Sequence, residues 1–156
     1  MSRMMASGAF TYVRYNNMSM AHKKDTGPKI MVFSSNAISD PGIDMAGSAH
    51  MHYSTAVQVI PVPCSSGIKP SWIVHAIEKG FDGVFVAACG GDCAFLSDCT
   101  PRTSTLIKSA QDLMREKGLN PKRLKMSGIC SVCADNFTGH MNKFQKELEA
   151  LNAKTE

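Results

Sequence analysis

The side chains in this 156-residue sequence whose type and spacing point to chemistry are its six cysteines. They fall as Cys89-Gly90-Gly91-Asp92-Cys93 with Cys99 close behind, as Cys130-Ser131-Val132-Cys133, and as a separate Cys64. Thiolates are ligands of soft metals and of iron–sulfur clusters. A Gly-rich turn leaves backbone room for a bulky inorganic group and aims amide N–H groups at sulfur; here those amides would be Gly90, Gly91 and Ser131. An isolated cysteine such as Cys64 is ordinarily a small core residue. Two close pairs, each beyond an apolar run, point instead to a metal or iron–sulfur centre, against the alternative of inert thiols. Cys89, Cys93, Cys130 and Cys133 are the first candidates, with Cys64 or Cys99 as substitutes, and four cysteines at these spacings also suit tetrahedral zinc.

Rival chemistries have less behind them. The turn Ser34-Ser35-Asn36-Ala37-Ile38-Ser39 carries neither a dinucleotide fingerprint nor a P-loop. His75 falls inside a predicted helix and His140 at the opening of the last one, neither in a fixed relation to a cysteine, so a Cys–His nucleophile is not indicated. His50 and His52, spaced to share one side of an extended segment, are further metal candidates, although such pairs more often face solvent.

The elements that must position the cysteines follow from the apolar pattern. Runs at 29–33, 57–62, 83–88 and 124–129 read as strands, and the third, bounded by Gly on both sides, reads as buried on both faces. A turn at Asp40-Pro41-Gly42 precedes a short helix at 43–47. A second helix spans 70–79, opened by Pro70 and stopped by Gly80. A third spans 104–117, with Leu106, Ile107, Ala110, Leu113 and Met114 in one stripe and Gly118 as its stop. A fourth covers about 138–151, with Thr138 as its cap. This alternation predicts an α/β fold: a small flavodoxin-like or Rossmann-like parallel sheet of about four strands with helices on both faces. Ligands of such sheets gather beyond the carboxyl ends of the strands, and every cysteine falls there.

Composition bounds the rest. A chain with 44% hydrophobic and 19% charged residues sustains one globular domain, placed at 29–152, with a tail at 153–156. Residues 1–28 read as an N-terminal arm, partner-bound or disordered. The net charge of +4 is scattered, and Pro121-Lys122-Arg123-Leu124-Lys125 has no interleaved aromatics, so nucleic acid is not an expected partner. No apolar run approaches the roughly 20 residues of a membrane span. The first residues lack the apolar segment of a secretory signal, and cysteines in that context indicate a reducing cytoplasm.

Several stretches carry a family resemblance: Phe33-Ser34-Ser35-Asn36 with the spacing to Gly42 and Asp44, Ala46-Gly47, Val62-Pro63-Cys64-Ser65, Gly80-Phe81-Asp82-Gly83-Val84, Gly91-Asp92-Cys93, and the run from Gly118 to Leu124. With these, the chain from about Lys29 to Leu151 resembles the small iron–sulfur (delta) subunit family of methyl-viologen-reducing hydrogenases. The resemblance implies a [2Fe–2S] cluster and electron transfer with heterodisulfide reductase-like flavin and iron–sulfur subunits. Related subunits occur in class II benzoyl-CoA reductase complexes. The family's first turn carries a C-x2-C pair whose positions here hold Ser35 and Ile38. Cys64, Cys89 and Cys93 match family cysteines, whereas Cys130 and Cys133 look like additions.

With strand order 2-1-3-4, Cys64 would stand about 10 Å from Cys89, two strand spacings away, while the loops after strands three and four are neighbours. This favours Cys89, Cys93, Cys130 and Cys133 as a rebuilt site. The expected function is an electron-transfer subunit, not catalytic alone, of an anaerobic, cytoplasmic multi-subunit oxidoreductase. The alternatives are a structural adaptor that has lost its cluster and a structural zinc protein.

Overall fold

The computed structural model describes residues 27–90, 93 and 95–154, so the N-terminal arm expected at 1–28 lies almost wholly outside the described residues. Four strands and four α-helices alternate among them: β1 (Ile30–Ser35), α1 (Ser39–Ser48), β2 (Val57–Val62), α2 (Pro70–Glu78), β3 (Gly83–Ala88), α3 (Cys99–Glu116), β4 (Leu124–Gly128) and α4 (Ala134–Asn152). The strands form one parallel sheet in the order β2-β1-β3-β4. This is the α/β architecture that the sequence predicts, and the order is that of a doubly wound sheet.

The two central strands, β1 and β3, are buried along their whole length because helices cover both faces. Side chains alternate across a strand, so β1 and β3 divide their residues between two cores. Met31, Phe33, Val84 and Val86 pack with Ile73 and Val74 of α2 and Ile107, Ala110 and Met114 of α3. Ile30, Val32, Phe85 and Ala87 pack with Ile43 and Ala46 of α1 and with Phe137, Met141, Phe144 and Leu148 of α4. Edge strand β2 accommodates Pro61, as edge strands do.

Three helices begin earlier than the sequence indicates. Asp40-Pro41-Gly42 forms the first turn of α1 rather than a turn before it. Proline lacks only an N–H that the first turn leaves unused, and Asp40 accepts a hydrogen bond from Ser34 Oγ at 2.7 Å. Helix α3 likewise starts at Cys99, with Pro101 in its first turn. Helix α4 starts at Ala134, and Thr138 is not its cap, because its hydroxyl donates back to the Ala134 and Asp135 carbonyls.

These shifts place His140 inside α4, where Nε2 is 2.9 Å from Ser127 Oγ and the ring lies 5.6 Å from that of Phe85. His50 and His52 do not share an extended segment: His50 has φ 53°, and both are exposed. No helix among the described residues is long and apolar enough to cross a membrane.

Candidate functional site

The parallel sheet points the ends of β2, β3 and β4 at one edge, and the cysteines follow those ends. Cys89 comes directly after β3 and is 4% exposed. Its thiol donates to Ser35 Oγ at 3.2 Å, across the β1–β3 pairing. Cys93 lies on the following loop, part-buried. Cys99 opens α3 and is 1% exposed. The sulfurs of these three residues lie within 4.8 Å of one another. Cys64 follows β2 and stands 3.6 Å from the Cys99 sulfur.

Cys99 therefore spans the gap that strand spacing alone places between Cys64 and Cys89. The start of α3 reaches over the end of β1 and links the two flanking strands through its first side chain. A serine and threonine layer holds that helix start in place. Ser65 Oγ is 3.1 Å from Thr103 Oγ1 and 3.6 Å from the Cys99 sulfur, and Thr103 Oγ1 donates to the Cys99 carbonyl at 2.8 Å.

Beneath Cys89, the hydroxyls of Ser35 and Ser39 are 2.8 Å apart, and Ser39 Oγ donates to the Ala87 carbonyl at 2.8 Å. Ser35, at a position where the family resemblance places a cysteine, is thus a buried hydrogen-bonding residue under the thiols. Ile38, at the other such position, is part-buried and has no ligating atom.

Three of the thiols, Cys89, Cys93 and Cys64, differ electrostatically. Burial pushes the Cys89 thiol up to about 11, because a desolvated thiolate is costly. Cys93 is held below its ordinary value by the backbone amides of Phe95 and Leu96 directed at its sulfur. At Cys64 burial acts upward, but hydrogen bonds to the Ser66 hydroxyl and amide and to Cys99 outweigh it and leave the thiol lowered. Amides thus reach sulfur from Phe95 and Leu96, positions that carry no signal in the sequence. Of the expected Gly90, Gly91 and Ser131, Gly91 lies outside the described residues.

Cys130 and Cys133 are placed differently. They form a disulfide, with Cα atoms 5.1 Å apart, between the end of β4 and the start of α4. The expected site groups Cys89 and Cys93 with these two residues; in the structure Cys130 and Cys133 are paired with each other. Two residues' spacing at a helix start brings the Cys130 and Cys133 side chains onto each other, and a disulfide sulfur is not a thiolate ligand. The cysteines that converge as free thiols are Cys64, Cys89, Cys93 and Cys99.

This donor set fits a soft metal. With metal–sulfur bonds of about 2.3 Å, the edge of a tetrahedral thiolate site is roughly 3.8 Å. The separations among Cys89, Cys93 and Cys99 run up to 4.8 Å, and Cys64 joins this trio through the 3.6 Å between its sulfur and that of Cys99. Sequence reasoning ranks Cys99 only as a substitute, because it reads as part of the turn before α3. The signal that could have raised it is Cys99-Thr100-Pro101, with proline two residues on, which reads as a helix opening.

Comparison with known proteins agrees with this architecture. The family model for the methyl-viologen-reducing hydrogenase delta subunit matches residues 30–152. A ferredoxin:CoB-CoM heterodisulfide reductase subunit of Methanosarcina mazei is 33% identical over 135 residues, covering 84% of this chain and 16% of that protein. An F420-non-reducing hydrogenase iron-sulfur subunit of Archaeoglobus profundus is 31% identical over 125 residues, covering 80% of this chain and 90% of that protein. The F420-non-reducing hydrogenase vhc iron-sulfur subunit of Methanococcus voltae is 30% identical, covering 80% of this chain and 86% of that protein. The chain thus spans a small part of one kind of relative and most of the other. From the fold, the cysteine-bearing sheet edge and a match over residues 30–152, this chain belongs to the methyl-viologen-reducing hydrogenase delta-subunit family.

Proposed function

We propose that this chain is an electron-transfer subunit of an anaerobic, cytoplasmic oxidoreductase complex, with a thiolate-held iron–sulfur centre at the carboxyl edge of its sheet. Cys64, Cys89, Cys93 and Cys99 would hold the centre. The observation that carries the reading is the convergence of four free thiols from separate chain segments in a member of a hydrogenase subunit family. When bound, such a centre supplies one-electron redox chemistry. The chain itself contributes thiolates, amide N–H groups from Phe95 and Leu96 toward sulfur, and burial of Cys89 and Cys99 away from water.

A heterodisulfide reductase-like flavin and iron–sulfur subunit is the proposed redox partner. The pattern of relatives supports it: the region similar to this chain makes up 16% of a heterodisulfide reductase subunit and most of a separate hydrogenase iron-sulfur subunit. A domain that is fused in one assembly and separate in another is suited to the same neighbour in both. The chain supplies no catalytic group of its own in this reading.

A second reading is favoured by Ser35 and Ile38, which stand where the resemblance places a ligand pair: a structural adaptor without a cluster. Metal and sulfide content of anaerobically purified protein separates the readings. Iron with sulfide and a reducible EPR signal is the expected result. Zinc would assign the thiols a structural role, and metal-free protein with Cys64, Cys89, Cys93 and Cys99 all titratable would leave the adaptor.

A further inference from the structure

The Cys130–Cys133 disulfide is not used by the site described above, and its setting differs from that of a structural staple. Structural disulfides gain most when they close long loops. This one closes a very short loop, its cysteines being only 3 positions apart in the chain. The connecting residues are open to solvent: Ser131 is exposed and Val132 is 72% exposed.

The backbone around the pair is fixed from three sides. Ile129 is fully buried behind Cys130, and its amide donates to the Ala88 carbonyl of β3 at 3.0 Å. Helix α1 lies directly against the Cys130 peptide, so closely that a β-carbon built on Gly42 would overlap the Cys130 carbonyl oxygen. Cys133 is the N-cap of the 19-residue α4, and no side chain caps the amides of that helix's first turn.

We propose that Cys130-Ser131-Val132-Cys133 is a second redox centre, a two-electron dithiol/disulfide couple whose redox partner is a dithiol. A thiolate of that dithiol attacks the Cys130 sulfur, forming an intermolecular disulfide as the Cys130–Cys133 bond breaks. Cys133 leaves as a thiolate at the positive end of α4, the position where a helix favours a leaving thiolate; Asp135 in the same turn opposes this in part. The second thiol of the reductant then attacks the intermolecular disulfide, releasing Cys130. The reductant ends as a disulfide, and Cys130 and Cys133, after taking up two protons, as thiols. Two electrons have passed to the chain. The buried Ile129 and the packed Gly42 keep the turn in place through both states, so that reduction does not require unfolding.

The test uses the full chain, purified anaerobically and equilibrated in buffers of graded reduced-to-oxidised dithiothreitol ratio. The samples are acid-quenched, alkylated and mapped by peptide mass. The expected result is a reversible step confined to Cys130 and Cys133, passing from about one-tenth to nine-tenths reduced over about a hundredfold change in that ratio, as a two-electron exchange requires. The far-ultraviolet circular dichroism should not change across the step. In a separate arm without dithiothreitol, a Cys133→Ser variant incubated with glutathione disulfide should accumulate a glutathione adduct on Cys130, one glutathione leaving as the thiolate.

A parallel arm with a Cys-x-x-Cys protein dithiol identifies the source. Faster reduction by the protein assigns a protein partner, and equal rates per thiolate assign small dithiols. A pair that resists dithiothreitol until the protein is denatured would be a staple, and a pair that never oxidises would have no couple; either overturns the proposal. So would loss of bound metal in the Cys130→Ser, Cys133→Ser double variant, which would make the two cysteines ligands. This inference does not rest on the iron–sulfur reading, whose failure would appear in the metal content of the unmodified chain.

Discussion

Two groups of cysteines share the carboxyl edge of this sheet and reach different states. Cys64, Cys89, Cys93 and Cys99 remain free thiols, and the sulfurs of Cys64 and Cys99 meet across 35 positions of sequence. Cys130 and Cys133, 3 positions apart, are bonded to each other. Each free thiol is anchored by a different piece of structure: the end of β2, the end of β3, the loop beyond it, and the first turn of α3. Three separately anchored sulfurs within 4.8 Å of one another, with Cys64 3.6 Å from the sulfur of Cys99, suit coordination of a soft metal. Two sulfurs on one turn meet through that turn's own geometry and pair. Proximity along the chain marks the disulfide, while long-range topology assembles the free thiols.

The largest expected effect tests that division directly. The Cys64→Ser, Cys93→Ser double variant should lose at least about tenfold in bound metal, since it removes two of the proposed soft donors. The Cys130→Ser, Cys133→Ser variant should retain the metal content of the unmodified chain, measured by elemental analysis of both proteins side by side. Equal losses in the two would erase the distinction between the groups.

Next in size are the supports beneath each group. Ile129→Ala, behind the disulfide, should cost about 2–5 kcal/mol in chemical denaturation by opening a cavity at a fully buried site. Ser39→Ala, beneath the thiols, should cost about 1–3 kcal/mol, because it leaves the Ala87 carbonyl and the Ser35 hydroxyl short of a buried partner. A near-zero cost for Ser39→Ala would show that the serine layer does not hold the thiol side.

The smallest effect is a pH dependence on the α4 side. Burial, and then the charges of Lys143 and Lys125, hold His140 below its ordinary value. The unfolded chain therefore takes up the proton first as pH falls. The contribution of this residue to stability is complete above about pH 6.5 and declines as pH drops through that value toward the lower folded one. His140→Gln should flatten the decline in thermal melts between about pH 5 and 7, with little change at pH 8.

The fold is largely legible in the sequence because its signals are local. The four apolar runs stand as four parallel strands, with 57–62 and 83–88 bounded where the pattern places them. Gly80 and Gly118, at φ 95° and 71°, mark the ends of α2 and α3. Helix starts are less legible, since Pro41 and Pro101 read as turn residues until the first turn of a helix is seen around them.

The site divides along the same line. The sequence alone is enough to put all six cysteines beyond strand ends, hence on one edge of a doubly wound sheet. Which of them meet is set by long-range packing. Strand order leaves Cys64 and Cys89 on either side of β1, and the start of α3 brings Cys99 across that gap, a contact that no spacing in the sequence encodes. The packing of α4 on β3 and β4 sets Cys133 at a helix start facing Cys130, so this pair closes on itself and takes no place among the free thiols.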